Sequence, residues 1–211
     1  MSSTLSNVLE PGAEPIPGYR LRQYRGRGGF AVVWEADDPD GRRVALKFIS
    51  TERMGADLTT AREIRSVQAI RQLYHRGLLP IYGIWSINRA IVIAMELADG
   101  SLMDLLDAYQ QEFRTAIPPE FLAAYTEQAA EALDYLNARR HVLDGKRVGI
   151  QHGDVKPNNI LLVGERVKLA DFGLVAMLSS FFSTNYPSGT VAYAAPEVFQ
   201  GALSEWTDQY S

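Results

Sequence analysis

The sequence predicts an α+β fold in two lobes, a small β-rich N-lobe and a mainly helical C-lobe. Two observations carry that expectation. Up to Glu96 the apolar residues come mostly in short alternating runs rich in Val, Ile and aromatic residues. After Leu97-Ala98-Asp99-Gly100 they recur at helical spacing instead. A length of 211 residues suits one domain, or one domain built of two lobes.

Residues 1–18 hold Pro11, Pro15 and Pro17 with two glycines and read as a flexible, mostly extended leader. The domain proper is expected over 19–211, divided into an N-lobe at 19–97 and a C-lobe at 98–211. "YRLRQY" alternates, "AVVWEA" is β-branched and aromatic, and "RRVALKFI" follows a Pro39-Asp40-Gly41 turn. A helix is predicted over roughly 57–75, with Ile64, Val67, Ile70 and Tyr74 on one face. "PIYGIWSI" and "RAIVIAMEL", joined near Asn88, complete a five-stranded antiparallel sheet with one helix.

In the C-lobe, Ser101 is placed to cap a helix through Leu102, Leu105, Leu106 and Tyr109. Pro118-Pro119-Glu120 opens a longer one with Leu122, Tyr125, Ala129, Leu133 and Leu136 on one face. Short strands are expected at 148–151, 160–163 and 167–170, the last two joined by a Gly164-Glu165-Arg166 turn. Residues 139–149, "RRHVLDGKRVG", read as a surface loop.

Composition excludes several function classes. Net charge is −4, from 21 basic and 25 acidic residues, so nothing draws the chain generally to nucleic acid or anionic lipid. With no cysteine there is no disulfide, thiolate nucleophile or Cys-based zinc site, which fits a reducing compartment. The longest apolar run, "AIVIAM" at 90–95, is far too short to cross a bilayer, and the N-terminus lacks the basic start and apolar core of a secretion signal. A cytoplasmic protein is the resulting expectation.

The chemistry concentrates in a few motifs. "GRGGFAVV", Gly26 to Val33, lies between two strands; its glycines, Gly26 and Gly28 among them, let backbone N–H groups approach phosphates, although an ordinary Gly-rich hairpin looks the same. Lys47 ends "VALK" on a following strand, and Glu63 comes sixteen residues later on the predicted helix. Taken singly, Lys47 reads as a solvent-facing lysine and Glu63 as part of the Thr60–Glu63 capping box. Taken with the glycines, Lys47 would grip α/β-phosphates and Glu63 would orient it. In "HGDVKPNN", Asp154 can accept a hydroxyl proton, Lys156 can neutralise charge on a transferring phosphoryl group, and Asn159 offers an oxygen to Mg²⁺. Asp171, twelve residues on in "ADFG", supplies a second hard oxygen ligand. His152 reads as structural.

In order along 19–211 stand the Gly-rich segment, Lys47, Glu63, "HGDVKPNN", "DFG" at 171–173 and "APE" at 195–197. This series resembles the protein kinase family, and "DVKPxN" resembles its Ser/Thr type; "GIQHGDVKPNN" is similar to bacterial members. The resemblance implies transfer of the γ-phosphate of Mg-ATP, bound between the lobes, to Ser/Thr hydroxyls of a protein substrate. It implies Met95 as gatekeeper, Glu96 to Ala98 as the hinge that binds adenine, Val33 and Ala45 as the cover over the base, and Thr190 beside the catalytic Asp154. It also implies helices beyond "LSEWTDQYS", so the C-lobe is expected to be incomplete, with Asp208 hydrogen-bonding the catalytic loop.

Two other readings compete. A small-molecule phosphotransferase can share His-Gly-Asp with a later Asn and Asp, but would lack Lys156-Pro157 and a segment closed by "APE". A non-catalytic nucleotide-binding or regulatory module would keep the site and transfer nothing. Gly153 stands where many family members carry an arginine that pairs with an activation-segment phosphate, so control through that pairing is not expected. Oligomeric state is not legible.

Overall fold

A computed structural model describes residues 9–28, 31–50, 70–87, 90–143, 145–172, 192–200 and 204–211. They fall into two compact units, the first within Met1–Arg71 and Pro80–Leu97, the second within Gln72–Leu79 and Ala98–Ser211.

The first unit is a five-stranded antiparallel sheet of β1 (Arg20–Arg27), β2 (Ala31–Asp37), β3 (Arg43–Ser50), β4 (Ile81–Ile87) and β5 (Ala90–Glu96), in the order β1-β2-β3-β5-β4. Alternation decides its two faces, because successive side chains of a strand point to opposite sides. Val32, Trp34 and Ala36 of β2, Val44, Leu46 and Phe48 of β3, and Val92 and Ala94 of β5 form one hydrophobic cluster. Residues of the opposite parity, Val33, Ala45, Lys47, Ile93 and Met95, lie on the other face, in register as Val33↔Lys47↔Ile93 and Ala45↔Met95.

Residues 9–18 are part of this unit, contrary to the extended leader read from their prolines and glycines. Gly12 N–H donates to Leu21 O at 2.7 Å, and Leu21 N–H returns a bond to Ala13 O at 2.8 Å. Ile16 is buried in the sheet's hydrophobic cluster, with Leu9, Ala13 and Tyr19 packed against it. The Pro17-Gly18 turn makes this possible: Gly18 has φ 81°, and a Cβ there would lie 2.9 Å from the Pro39 ring. Proline and glycine here shape a folded turn. Residues 1–8 lie outside the described residues.

The expected helix over 57–75 falls largely outside them too. At its described end the chain is helical at Ile70 and Arg71 and leaves the helix by Leu73, so Tyr74 is exposed and not on a buried face. Tertiary pairing overrides the periodicity. Leu79 N–H donates to Leu169 O at 2.9 Å and Leu169 N–H to Gly77 O at 2.7 Å, drawing 72–79 into the second unit.

In that unit β6 (Gly100–Ser101) leads into α1 (Leu102–Ala108) through a capping box. Ser101 Oγ accepts from Asp104 N–H, and Asp104 Oδ2 accepts from Ser101 N–H at 2.7 Å. Such a cap contributes about 1 kcal/mol. The helix passes into a π turn, Tyr109–Phe113, closed by Arg114 in the left-handed region at φ 55°. Pro119 starts α2 (Pro119–Asn137), whose buried residues are Ala129, Ala132 and Leu136; Leu122, expected on that face, is exposed. The expected strand at 148–151 is instead β8 (Lys146–Val148), paired with β7 (His141–Leu143), so much of the supposed surface loop is an ordered hairpin. The strands β9 (Ile160–Val163) and β10 (Arg166–Leu169) form the sheet β10-β9-β6, with Gly164 at φ 60° in the connecting turn. Gln128 of α2 accepts Val167 N–H at 3.1 Å, tying the long helix to β10.

Candidate active site

The β9–β10 hairpin sets the ends of the catalytic segment. The 3₁₀ turn Pro157–Asn159 enters β9, and the exit from β10 is fastened where Ala170 N–H donates to Asn159 O at 2.9 Å. That bond carries Asp171, at φ 64°, back beside the loop. Few side chains other than Asn and Asp adopt the left-handed region readily, and strained residues of this kind gather at sites of function.

Within the loop three of the expected residues converge. Lys156 Nζ lies 2.8 Å from Asp154 Oδ2. Asn159 Nδ2 donates to the same Oδ2 at 2.9 Å and to Asp154 O at 2.8 Å. Among the described residues Asp154 Oδ1 is buried with no hydrogen-bond partner. One carboxylate oxygen is therefore held by a cation and an amide, and the other is presented without a donor. Because both bonds of Asn159 use its nitrogen, its carbonyl oxygen is the end turned to other use.

Asp208 underpins the loop. Its two carboxylate oxygens accept His152 N–H at 2.6 Å and Gly153 N–H at 2.7 Å. Gly153, at φ 76°, lies in the left-handed region, so the position read as a missing arginine is also one where glycine relieves the backbone. His152 is fully buried, and its Nδ1 accepts Asp154 N–H at 3.3 Å. Burial holds its pKa below the ordinary 6.5, against the opposing pull of the Asp208, Asp171 and Asp154 carboxylates. An unfolded chain takes up a proton as pH falls through 6.5, and the folded chain resists until lower pH. Stability is thus fully present above 6.5 and declines below it. Urea unfolding at pH 7.5 and 5.5 is expected to give a smaller difference for His152→Asn, which keeps an acceptor but cannot titrate; an unchanged difference contradicts this role.

"APE" is anchored by residues whose part the sequence did not disclose. Glu197 Oε1 accepts from Thr207 Oγ1 at 2.8 Å and Ser204 Oγ at 3.1 Å. Its own backbone N–H and then the Thr207 hydroxyl hold its pKa below the usual range. Short polar residues at 204 and 207 carry no local sign of this role. Thr207 and Asp208 open α3 (Thr207–Tyr210), so one helical turn serves both Glu197 and the catalytic loop.

In the first unit, Val33, Ala45, Lys47 and Met95 share the sheet face away from the hydrophobic cluster. Lys47 is half-buried there, and Glu96 N–H donates to Pro80 O at 3.1 Å. Gly26 pairs with Val33, and Gly28 N–H closes on Ala31 O at 2.9 Å. A Cβ at Gly26 or Gly28 would meet nothing within 4 Å, so internal packing does not require glycine at either position. Ala98 begins the second stretch of the other unit. Glu63, Thr190 and Gly173 lie outside the described residues.

A family model described as protein kinase domain matches residues 19–211. The chain belongs to the protein kinase family. Among curated relatives, this kinase domain is 37% identical over 194 residues to CBL-interacting protein kinase 4 of Oryza sativa subsp. japonica, covering 89% of this chain and 40% of that protein. It is 30% identical over 204 residues to serine/threonine-protein kinase PknF of Mycobacterium tuberculosis, covering 92% and 40%. Against serine/threonine-protein kinase PknD of the same species the figures are 34% over 188 residues, 87% and 26%. The kinase domain thus spans 40% or less of the length of these relatives.

Proposed function

We propose that this kinase domain transfers the γ-phosphate of Mg-ATP to serine or threonine hydroxyls of protein substrates. The observation that carries the reading is Asp154, with Oδ2 held by Lys156 and Asn159 and Oδ1 buried without a donor. An oxygen so presented suits a hydroxyl that must be aligned and relieved of its proton. Relatives named as serine/threonine-protein kinases support the substrate class, as do Lys156-Pro157 and "APE".

The residues present fit the nucleotide and its metal. Gly26 and Gly28 leave their backbone open to phosphates where packing sets no demand for glycine. Val33, Ala45 and Met95 offer an apolar surface for the base, with Glu96 to Ala98 as the hinge. Lys47, on the same sheet face, would hold phosphate oxygens, with Glu63 as its orienting partner. Asn159 through its carbonyl and Asp171 through its carboxylate would hold Mg²⁺, which would neutralise phosphate charge. Lys156 offsets charge on the transferring group, and Thr190 is assigned beside Asp154. No helix among the described residues is long and apolar enough to cross a membrane. We place the reaction in the cytoplasm because its phosphate donor is ATP.

The test is a thermal melt with and without Mg-ATP, beside Lys47→Met and Asp171→Asn, followed by transfer to a serine-containing protein. At 100 times its Kd the nucleotide should add about 2.7 kcal/mol to the unaltered chain and less to either variant. A melt unmoved by Mg-ATP sinks the nucleotide assignment. Binding without transfer to any protein favours a non-catalytic module.

A further inference from the structure

The stretch from the end of α2 through the β7–β8 hairpin is basic in a chain of net negative charge. Residues 139–147 contain Arg139, Arg140, Lys146 and Arg147 against one acid, while the whole chain carries −4. The hairpin is also firmly held. Arg140 lies over the Tyr135 ring at 4.4 Å, His141 packs edge-on to that ring at 5.0 Å, and His141 Nε2 hydrogen-bonds Tyr135 O at 2.8 Å. On its other side Ile150 N–H donates to Leu136 O at 2.8 Å. At Gly149 a Cβ would stand 2.6 Å from Asn137 O, so the chain leaving β8 lies directly on the end of α2.

This docking leaves a groove of about 510 Å³ within the second unit, lined among others by Arg139, Arg147, Gln151, Ser204, Glu205 and Trp206. Gln151 immediately precedes His152 of the catalytic loop. Arg139 Nη2 already binds a carboxylate there, Glu205 Oε2, at 2.9 Å. Arg147 is exposed and has no carboxylate partner among the described residues. Glu205 displays the chemistry that such a groove recognises.

We infer that this groove docks an acidic segment of the protein substrate, a Glu- or Asp-rich stretch whose carboxylates pair with Arg147 and compete with Glu205 for Arg139. The inference rests on the kinase reading for the word substrate, and on the groove alone for the acidic ligand. Opposite effects are expected from the two charge changes. Arg147→Glu removes an attraction and adds a repulsion, and Glu205→Gln frees Arg139.

The experiment measures anisotropy of a fluorescein-labelled glutamate-rich peptide on the whole chain without nucleotide, with the glutamine-for-glutamate peptide as control. Arg147→Glu should weaken the acidic peptide about tenfold and Glu205→Gln should tighten it severalfold, both with unaltered melts. In serine-bearing versions of the peptides, Arg147→Glu should raise KM for the acidic one alone and leave kcat unchanged. Equal affinity of the two peptides, or affinity indifferent to both substitutions, overturns the proposal. So does equally tight binding of a single-stranded oligonucleotide, which would mark a general polyanion surface. Peptide binding of the expected kind with no phosphotransfer overturns the kinase reading and leaves the acidic-ligand site standing.

Discussion

Asp154→Asn is expected to lower phosphotransfer about 10²–10⁴-fold while leaving Mg-ATP binding close to unchanged. The substitution preserves shape and removes the proposed base. Asp154 Oδ1, buried and without a donor among the described residues, is the atom that would receive the hydroxyl proton. An amide there cannot take it. The neighbouring contacts need only one acceptor: Lys156 at 2.8 Å and Asn159 Nδ2 at 2.9 Å are donors to Oδ2. An asparagine can still turn its carbonyl toward them, so the loop is expected to keep its conformation. Single-turnover transfer measured beside nucleotide titration separates the outcomes. Equal loss of both contradicts the assignment, because the proposed nucleotide contacts belong to other residues.

Asp208→Ala should be the most damaging substitution for stability, at about 3–5 kcal/mol. Asp208 is buried, and its carboxylate is the acceptor for the N–H groups of His152 and Gly153. Hydrogen bonds to a charged group contribute about 1.5–3 kcal/mol each, and the His152 N–H left behind is buried away from water. Asp208→Asn retains one acceptor and should lose roughly half as much. Urea unfolding gives the totals, and hydrogen exchange at the His152 and Gly153 amides locates them. Protection unchanged at both amides in the Ala variant would remove Asp208 from its role as support of the loop.

The convergence of Asp154, Lys156 and Asn159 was legible because they are close in sequence. Asp154, Lys156 and Asn159 lie within six residues, so a single loop brings them together and a motif can record it. Val33, Ala45 and Met95 were named through the resemblance to the kinase family, and Lys47 by itself read as solvent-facing. The structure puts the four on one sheet face because strands alternate, with Val32, Trp34, Val44, Leu46 and Val92 on the other. Ser101 was readable as a cap, whereas the return bond of Ser101 N–H to Asp104 is a feature of the folded turn.

Other features carry no such local trace. Proline and glycine in 9–18 read as a leader, since those residues serve both extended segments and tight turns; the bonds to Leu21 and the burial of Ile16 decide between them. Tyr74 has the spacing of a buried helical residue, yet the pull of Leu78 and Leu79 onto Leu169 ends the helix before it. The Glu197 clasp joins side chains ten residues apart whose types suit any surface loop.

The amino-acid sequence by itself determined the α+β class, the alternation of the five strands, the family and the identity of the residues proposed for phosphoryl transfer. These rest on local periodicity and on motifs contained within single loops. Only the tertiary structure decided that Ser204 and Thr207 clasp Glu197, that residues 72–79 join the second unit, and that the 139–149 segment is a basic hairpin beside Trp206. The reason is physical. A buried N–H takes whichever acceptor the packed chain brings to it, and that choice depends on the free energy of the whole fold, not on the residues alongside it.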